Sequence, residues 1–386
     1  MKKVFFLLIA TLLLQGCASV PLKDGSDPVE KTLYRRIPSK PEGDRRVIKL
    51  FFASSRLIQE RNGRLSFHPE IGGGLTLGRL NCRINPSVKI GKVIPSALKK
   101  KGVVNIQDIE KLNDDAFIQD ISRAVQDSPH RSLLVLVHGF KDDFEMTATK
   151  LAYFTYLLDA NTPVLIFDWP GDQSVTPWGY RKAVKLAADS GPYLGEALAR
   201  IIREVKPQKL WIESASLGCQ VVCSAFEWMC RHPDLADPQT EINHTLMSAP
   251  DVSRDEFNDT FKNEILALTD KLTVYVSSND HALLMARILG GEKKFGRQGV
   301  SVAKQDQFEE AKELLYLKSL VPDKLSIVDV TSINHASYHH GYDLEAPEFY
   351  DDFYMRLFDV SAHKNRRLYI VDADGNTDYW VMRSDR

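Results

Sequence analysis

The sequence predicts an α/β fold with a mostly parallel central sheet and helices on both faces. Two observations carry this prediction. Short, wholly apolar runs such as Leu133–Val137 and Pro163–Phe167 have no polar side, as expected of strands buried on both faces. Between such runs lie stretches of helical length and period, from about Phe144 to Leu158 and about Tyr180 to Val205. Strand–helix alternation of this kind packs helices against both faces of one sheet.

Taken in order, Arg46–Ala53 is the first strand candidate. A polar, Gly-rich stretch comes next, containing Gly72-Gly73-Gly74. It lacks the Gly-Lys-Ser/Thr ending of a phosphate loop and no helical pattern succeeds it, so a turn or loop is expected there. After the strands at 133–137 and 163–167 and the long helix, Lys209–Ile212 is a strand and about Leu217–Arg231 a helix. Strands recur at Thr245–Ser248, Leu272–Val276 and Leu325–Val330, and helices at about Phe308–Leu320 and Pro347–Leu357. Leu368–Val371 and Asp378–Met382 flank Asp374-Gly375-Asn376 and read as a hairpin.

Composition bounds the function. With 386 residues, 44% hydrophobic and 26% charged, the chain is neither disordered nor fibrous. Fifty basic and fifty-one acidic residues leave a formal charge of −1, so no broad basic field exists to hold nucleic acid. Five cysteines are too few for a disulfide scaffold. Cys219, Cys223 and Cys230 fall near one helix face and are expected to pack in the core.

The first residues read as a targeting signal. Lys2 and Lys3 precede the apolar run Val4–Leu14, which is too short for a permanent membrane helix. Leu14-Gln15-Gly16-Cys17 comes directly after and looks like a bacterial lipobox, with Cys17 as the lipidated new N-terminus. The competing reading is a plain secretory signal with a chance cysteine. Ala18, rather than Asp, stands after Cys17 and implies the periplasmic face of the outer membrane. Removing residues 1–16 deletes two lysines and no acid, which takes the charge from −1 to −3. The expected organisation is a signal peptide over 1–16, a solvated tether over 17–46, one domain over 47–360 and a C-terminal hairpin over 361–386.

Ser214-Ala215-Ser216-Leu217-Gly218 joins a strand to a helix. The nucleophile elbow of α/β-hydrolases has the form small-x-Ser-x-Gly in that context, because the residues two before and two after the serine approach backbone closely. Ser216 is then the nucleophile at the C-terminal sheet edge, and Leu217 N–H, at a helix N-terminus, suits a developing oxyanion. His138-Gly139-Phe140 ends an earlier strand, where this fold begins its oxyanion loop. Phe140 N–H becomes the second donor, and His138 is expected to bond within its loop.

The acid and base should come in the order Ser, Asp, His. Asp280 and Asp251 each stand after a strand; Asp280 is favoured because the acid usually lies after the strand two beyond the nucleophile, and Asp251 can instead cap a helix at Arg254–Phe257. The base lies within Asn334–Tyr342, which offers His335, His339 and His340. Three histidines also admit zinc, but no acidic or cysteine partner stands at a helical spacing, so no metal is expected. Trp169, Trp178 and Tyr180 either line a substrate-facing loop or cover the core.

From about Val47 to Leu357 the chain resembles a bacterial family of α/β-hydrolases of unknown function, broadly esterase/lipase-like. The resemblance rests on Phe51–Arg56, Leu75–Leu80, Val137–Phe140, Asp168-Trp169-Pro170, the Ser216 elbow, Ser248–Asp251 and Tyr275–Leu283. The family's closing Gly-His-Ser-Tyr motif often has a proline seven residues after the histidine. Pro347 places that histidine at His340, with His335 as the alternative. The chain departs from the family at Ala215 and Leu217 in the elbow, at Glu213 in an otherwise apolar strand, and at the His339-His340 pair.

The expected function is thus a membrane-anchored serine hydrolase without a cofactor, using Ser216, His340 and Asp280 on a small-molecule or lipid-like ester. A non-catalytic envelope binding or scaffold protein on the same fold is the alternative.

Overall fold

The computed structural model describes residues 47–85, 98, 103–233, 242–253, 262–277, 294–295, 324–335, 340–372 and 378–384. The chain opens on β1 (Val47–Arg61), β2 (Arg64–Ile84), β3 (Val104–Leu112) and α1 (Asp114–Asp127). Next are β4 (Ser132–Val137), α2 (Phe144–Leu158), β5 (Val164–Asp168), α3 (Pro177–Arg200), β6 (Lys209–Ala215) and α4 (Gly218–Arg231). Then come β7 (His244–Ser248), β8 (Val252–Ser253), α5 (Lys262–Leu268), β9 (Leu272–Val276), β10 (Lys294–Phe295) and β11 (Leu325–Asp329). The last are α6 (Tyr342–Glu345), α7 (Pro347–Leu357), β12 (Leu368–Asp372) and β13 (Asp378–Met382).

Among the described residues one sheet runs β12-β13-β11-β9-β7-β6-β4-β5-β1-β2-β3. From β1 to β13 across its centre every neighbouring pair is parallel; β2, β3 and β12 pair antiparallel at the two edges. The α/β reading and the parallel sheet are therefore correct. Along β4, Leu133, Val135 and Val137 face a core with Phe117, Leu194 and Phe226, whereas Leu134 and Leu136 face one with Phe154, Phe349 and Phe353. Two such cores explain why the central strands carry no polar side.

The topology places the site. β4 connects through α2 to β5 on one flank, whereas β6, adjacent to β4, connects onward to β7 on the other. The order in which strands are added thus reverses between the parallel neighbours β4 and β6, and the loops leaving their C-terminal ends open the crevice where such sheets bind ligands. α4, which begins at that crevice, is held by α3. A Cβ on Gly191 would meet Ser224 Cβ at 2.4 Å, so a glycine there lets the two helices touch.

Four expectations need correction. The Gly72-Gly73-Gly74 run is not a loop but part of β2. Between the pairs Ser54–Thr76 and Arg56–Ile71 the β1/β2 register shifts, so residues 72–75 oppose Ser55 alone, and glycines tolerate that bulge. β1 continues past Ala53 to Arg61, because after Ser54 it leaves β5 and pairs only with β2 through the Asn62-Gly63 turn. The long helix is α-helical only to Arg200, and Ile201–Val205 forms a π-type turn. Cys230 is exposed, whereas Cys219 and Cys223 are buried. The C-terminal hairpin extends the sheet, since β13 pairs with β11. The helix expected at 308–320 lies outside the described residues.

Candidate active site

Ser216 sits on the turn between β6 and α4 with φ of 55°. A non-glycine residue in the left-handed region costs about 1–3 kcal/mol unless its surroundings impose it. Here they do. Ser216 N–H donates to Ser248 C=O (2.9 Å), and Ser216 C=O accepts from Cys219 N–H (3.0 Å) and Asp251 N–H (3.1 Å). The elbow is therefore clamped to the end of β7 and to the first turn of α4.

Two glycines permit the close approach. A Cβ on Gly218 would lie 2.5 Å from His138 O and 2.8 Å from Val137 O. A Cβ on Gly139 would lie 3.0 Å from Ser216 Cβ and 3.6 Å from Ser216 Oγ. The loop after β4 thus rests directly against the serine. Among the described residues, neither Phe140 N–H nor Leu217 N–H donates a backbone hydrogen bond. Leu217 also stands at the N-terminus of the 14-residue α4, where the helix dipole favours negative charge.

The loop carrying Phe140 hangs on a buried charge network. Arg56 Nε donates to both oxygens of Asp168 (2.9 Å each), and Arg56 Nη2 donates to Asp142 C=O (2.9 Å). Arg56 Nη1 pairs with Asp172, and Ser54 Oγ donates to Asp168 (2.6 Å). Burial alone would raise the Asp168 pKa, but the Arg56 charge beside it, with His138 and Ser54, holds it below the usual carboxylate range. His138 Nε2 accepts from Trp169 N–H (3.1 Å), which leaves Nδ1–H to donate to Gly139 C=O (2.9 Å). His138 is therefore a loop strut, as its position in the sequence implied.

The other side of the elbow is different. Glu213, three residues before Ser216, is 2% exposed, and its Oε1 has no hydrogen-bond partner among the described residues. Burial, and then the nearby Asp343 charge, push its carboxyl well above the usual range. Asp343 itself is pushed up to about 6 by burial, against the opposing charges of His340 and Lys150.

The sequence candidates do not all meet. Ser216, Leu217, Phe140 and Asp251 come together at the crevice. Asp251 is buried, and its carboxylate accepts from Tyr180 OH at 2.8 and 3.0 Å. Tyr180 also packs edge-on against Phe140, ring centroids 5.8 Å apart. His340 is half-buried on the loop before α6, beside Asp343, while His335 is exposed. Among the described residues neither histidine hydrogen-bonds Ser216 Oγ. Asp280, His339, Cys17 and the 254–257 helix expected after Asp251 lie outside the described residues. Within those residues no cluster of three His, Cys, Asp or Glu side chains is arranged for a metal ion. Trp169 is buried, Tyr180 is buried and Trp178 is exposed, so this aromatic trio does not act as one cluster.

Sequence reasoning gave no site role to Arg56 or Asp343, and it named Tyr180 only as lining a loop or covering the core. Arg56 had a signal, an arginine following an apolar run, but its carboxylate partners Asp168 and Asp172 lie 112 and 116 residues away.

Comparison with known proteins agrees with the α/β fold. The family described as alpha/beta hydrolase of unknown function (DUF900) matches residues 113–357. No curated protein matches the chain.

Proposed function

From the premise that the chain belongs to this family of alpha/beta hydrolases of unknown function, we propose that it is a serine hydrolase acting on an ester-like substrate. The observation that carries the reading is the strained Ser216 turn with Gly139 packed against its Cβ and two backbone N–H groups flanking it. Ser216 Oγ attacks the ester carbonyl carbon, and its proton passes to His340. The carbonyl oxygen, now negative, is held by Phe140 and Leu217 N–H. Collapse expels the alcohol, which takes the proton from His340, and water then releases the acid from Ser216. Asp280 orients the histidine in this scheme; Asp251 is the other candidate, already within the elbow's hydrogen-bond frame. His335 is the alternative base.

A fluorophosphonate probe tests the reading. Wild type labels at the peptide containing Ser216, and Ser216→Ala does not. Equal labelling of the two ends the proposal. Asp280→Asn and Asp251→Asn, compared for kcat at matched stability, separate the two acids. A non-catalytic scaffold role draws support from Glu213, an acid buried behind the elbow. It predicts an unchanged cellular phenotype in Ser216→Ala.

The same proposal includes a lipid on Cys17 that anchors the mature chain to the periplasmic face of the outer membrane. Among the described residues no helix is long and apolar enough to cross a membrane. Mass spectrometry of the mature N-terminal peptide checks the lipid, and Cys17→Ala removes it.

A further inference from the structure

We propose that the first two turns of α3, with the loop before them, form a surface that docks on anionic phospholipid. The inference rests on the Cys17 anchor proposed above and adds which face of the body meets the bilayer.

Trp178 is 78% exposed and Val175, three residues earlier, 59%. Single exposed apolar residues need no explanation. These two do, because a basic stripe extends from Trp178 along the same helix. Trp178, Arg181, Lys182 and Lys185 stand at i, i+3, i+4 and i+7, and that spacing places them on one helix face. All four are exposed, while Tyr180, Ala183, Ala187 and Leu194 bury the opposite face. The Arg181 guanidinium lies 5.7 Å from the Trp178 ring centroid. From Gln173 to Ala188 the chain carries three cations and no carboxylate; Lys185 reaches Asp189 just beyond (2.6 Å). The exposure does not come from a frayed end. Thr176 Oγ1 accepts Gly179 N–H (3.1 Å) and Pro177 begins the helix. An aromatic tip joined to a basic stripe matches the chemistry of a membrane interface, where tryptophan settles at headgroup depth and lysine or arginine meets phosphate.

Geometry permits the contact. β1 enters the sheet at Val47 from the edge opposite the α3 N-terminus. The thirty residues from Cys17 to Arg46 can extend to at most roughly 100 Å. A body of this size has a radius of gyration of roughly 20 Å. A chain anchored at Cys17 can therefore pass round the body and let α3 touch the bilayer. Tyr180, on the opposite, buried face of the same turns, packs on Phe140 and bonds Asp251, so docking holds the rim of the Ser216 crevice about one helix diameter from the lipid. The expected substrate class is then an ester carried by a bilayer lipid.

The test uses the mature lipidated chain in liposomes of phosphatidylcholine and phosphatidylglycerol with brominated acyl chains, which quench nearby tryptophan. The docking surface predicts flotation with the liposomes and a quenched fluorescence component that disappears in Trp178→Phe. It also predicts weaker quenching in high salt and in pure phosphatidylcholine. Flotation with equal quenching in wild type and Trp178→Phe overturns the surface and leaves the anchor standing, as expected if the stripe serves a protein partner instead. Failure to float overturns the anchor and the docking surface with it.

Discussion

Two buried charged sites flank the nucleophile elbow, and they are built on opposite principles. On the β1/β5 side, Arg56 and Asp168 are both fully buried, and each charge meets a partner. On the β6 side, Glu213 is equally buried, yet one carboxyl oxygen has no partner among the described residues. A buried charge is tolerated only when paired and hydrogen-bonded; otherwise the group becomes neutral. The first site therefore works as an ionised brace between β1, β5 and the 138–142 loop, while at the second burial pushes the Glu213 carboxyl toward its neutral form. The difference shows where rigidity is invested: in the loop that carries Phe140, not in the strand behind the serine.

The largest effect expected from breaking this contrast is at Arg56. Arg56→Leu strands the Asp168 carboxylate in the core and should cost about 3–5 kcal/mol in chemical denaturation. The double variant Arg56→Leu/Asp168→Leu should recover most of that loss, since it removes both charges together. A double variant no better than the single would show that the brace matters through packing alone. The pair also sets an acid limit. Because the folded Asp168 pKa lies below its unfolded value, its contribution is present above the unfolded value near 3.9 and is lost as pH falls through the folded value.

Next comes the elbow itself. Gly218→Ala drives a methyl into His138 O and Val137 O and should cost about 1–3 kcal/mol, with probe labelling falling further than stability. Ser216→Gly should do the reverse. It abolishes labelling and raises stability by about 1 kcal/mol, because glycine accepts the positive φ without strain.

The smallest effect belongs to Glu213. Its folded pKa is raised, so above the unfolded value near 4.3 the unfolded chain ionises first and stability falls as pH rises. Glu213→Gln should match wild type near pH 4 and be the more stable of the two at neutral pH. Parallel stability curves for the two proteins across that window would mean Glu213 is ionised and paired, and the contrast between the sites would collapse.

Legibility in the sequence tracked the range of the interactions. Apolar runs such as Leu133–Val137 announced buried strands because burial on both faces removes every polar position. Ser216 was legible because the elbow needs a small residue and a glycine at fixed, local spacing. The β1/β2 hairpin was misread because its glycine run looks like a turn, although Asn62-Gly63 is a hairpin signal of the same local kind. The brace and the Glu213 site were not legible. Arg56 meets Asp168, Asp142 and Asp172, and Glu213 meets the Asp343 field, only after the sheet is assembled.

By itself, then, the sequence determined the α/β class, the order of its central strands and helices, and the strand-to-turn segments that present Ser216 and Phe140. Each depends on patterns within a few residues. Only the tertiary structure decided that the strand order reverses between β4 and β6, and that the 139 loop touches the serine. It alone decided that Arg56 meets its counter-charges in the core while Glu213 meets none among the described residues. Those outcomes depend on which distant side chains share a low-dielectric interior, and spacing along the chain does not encode that.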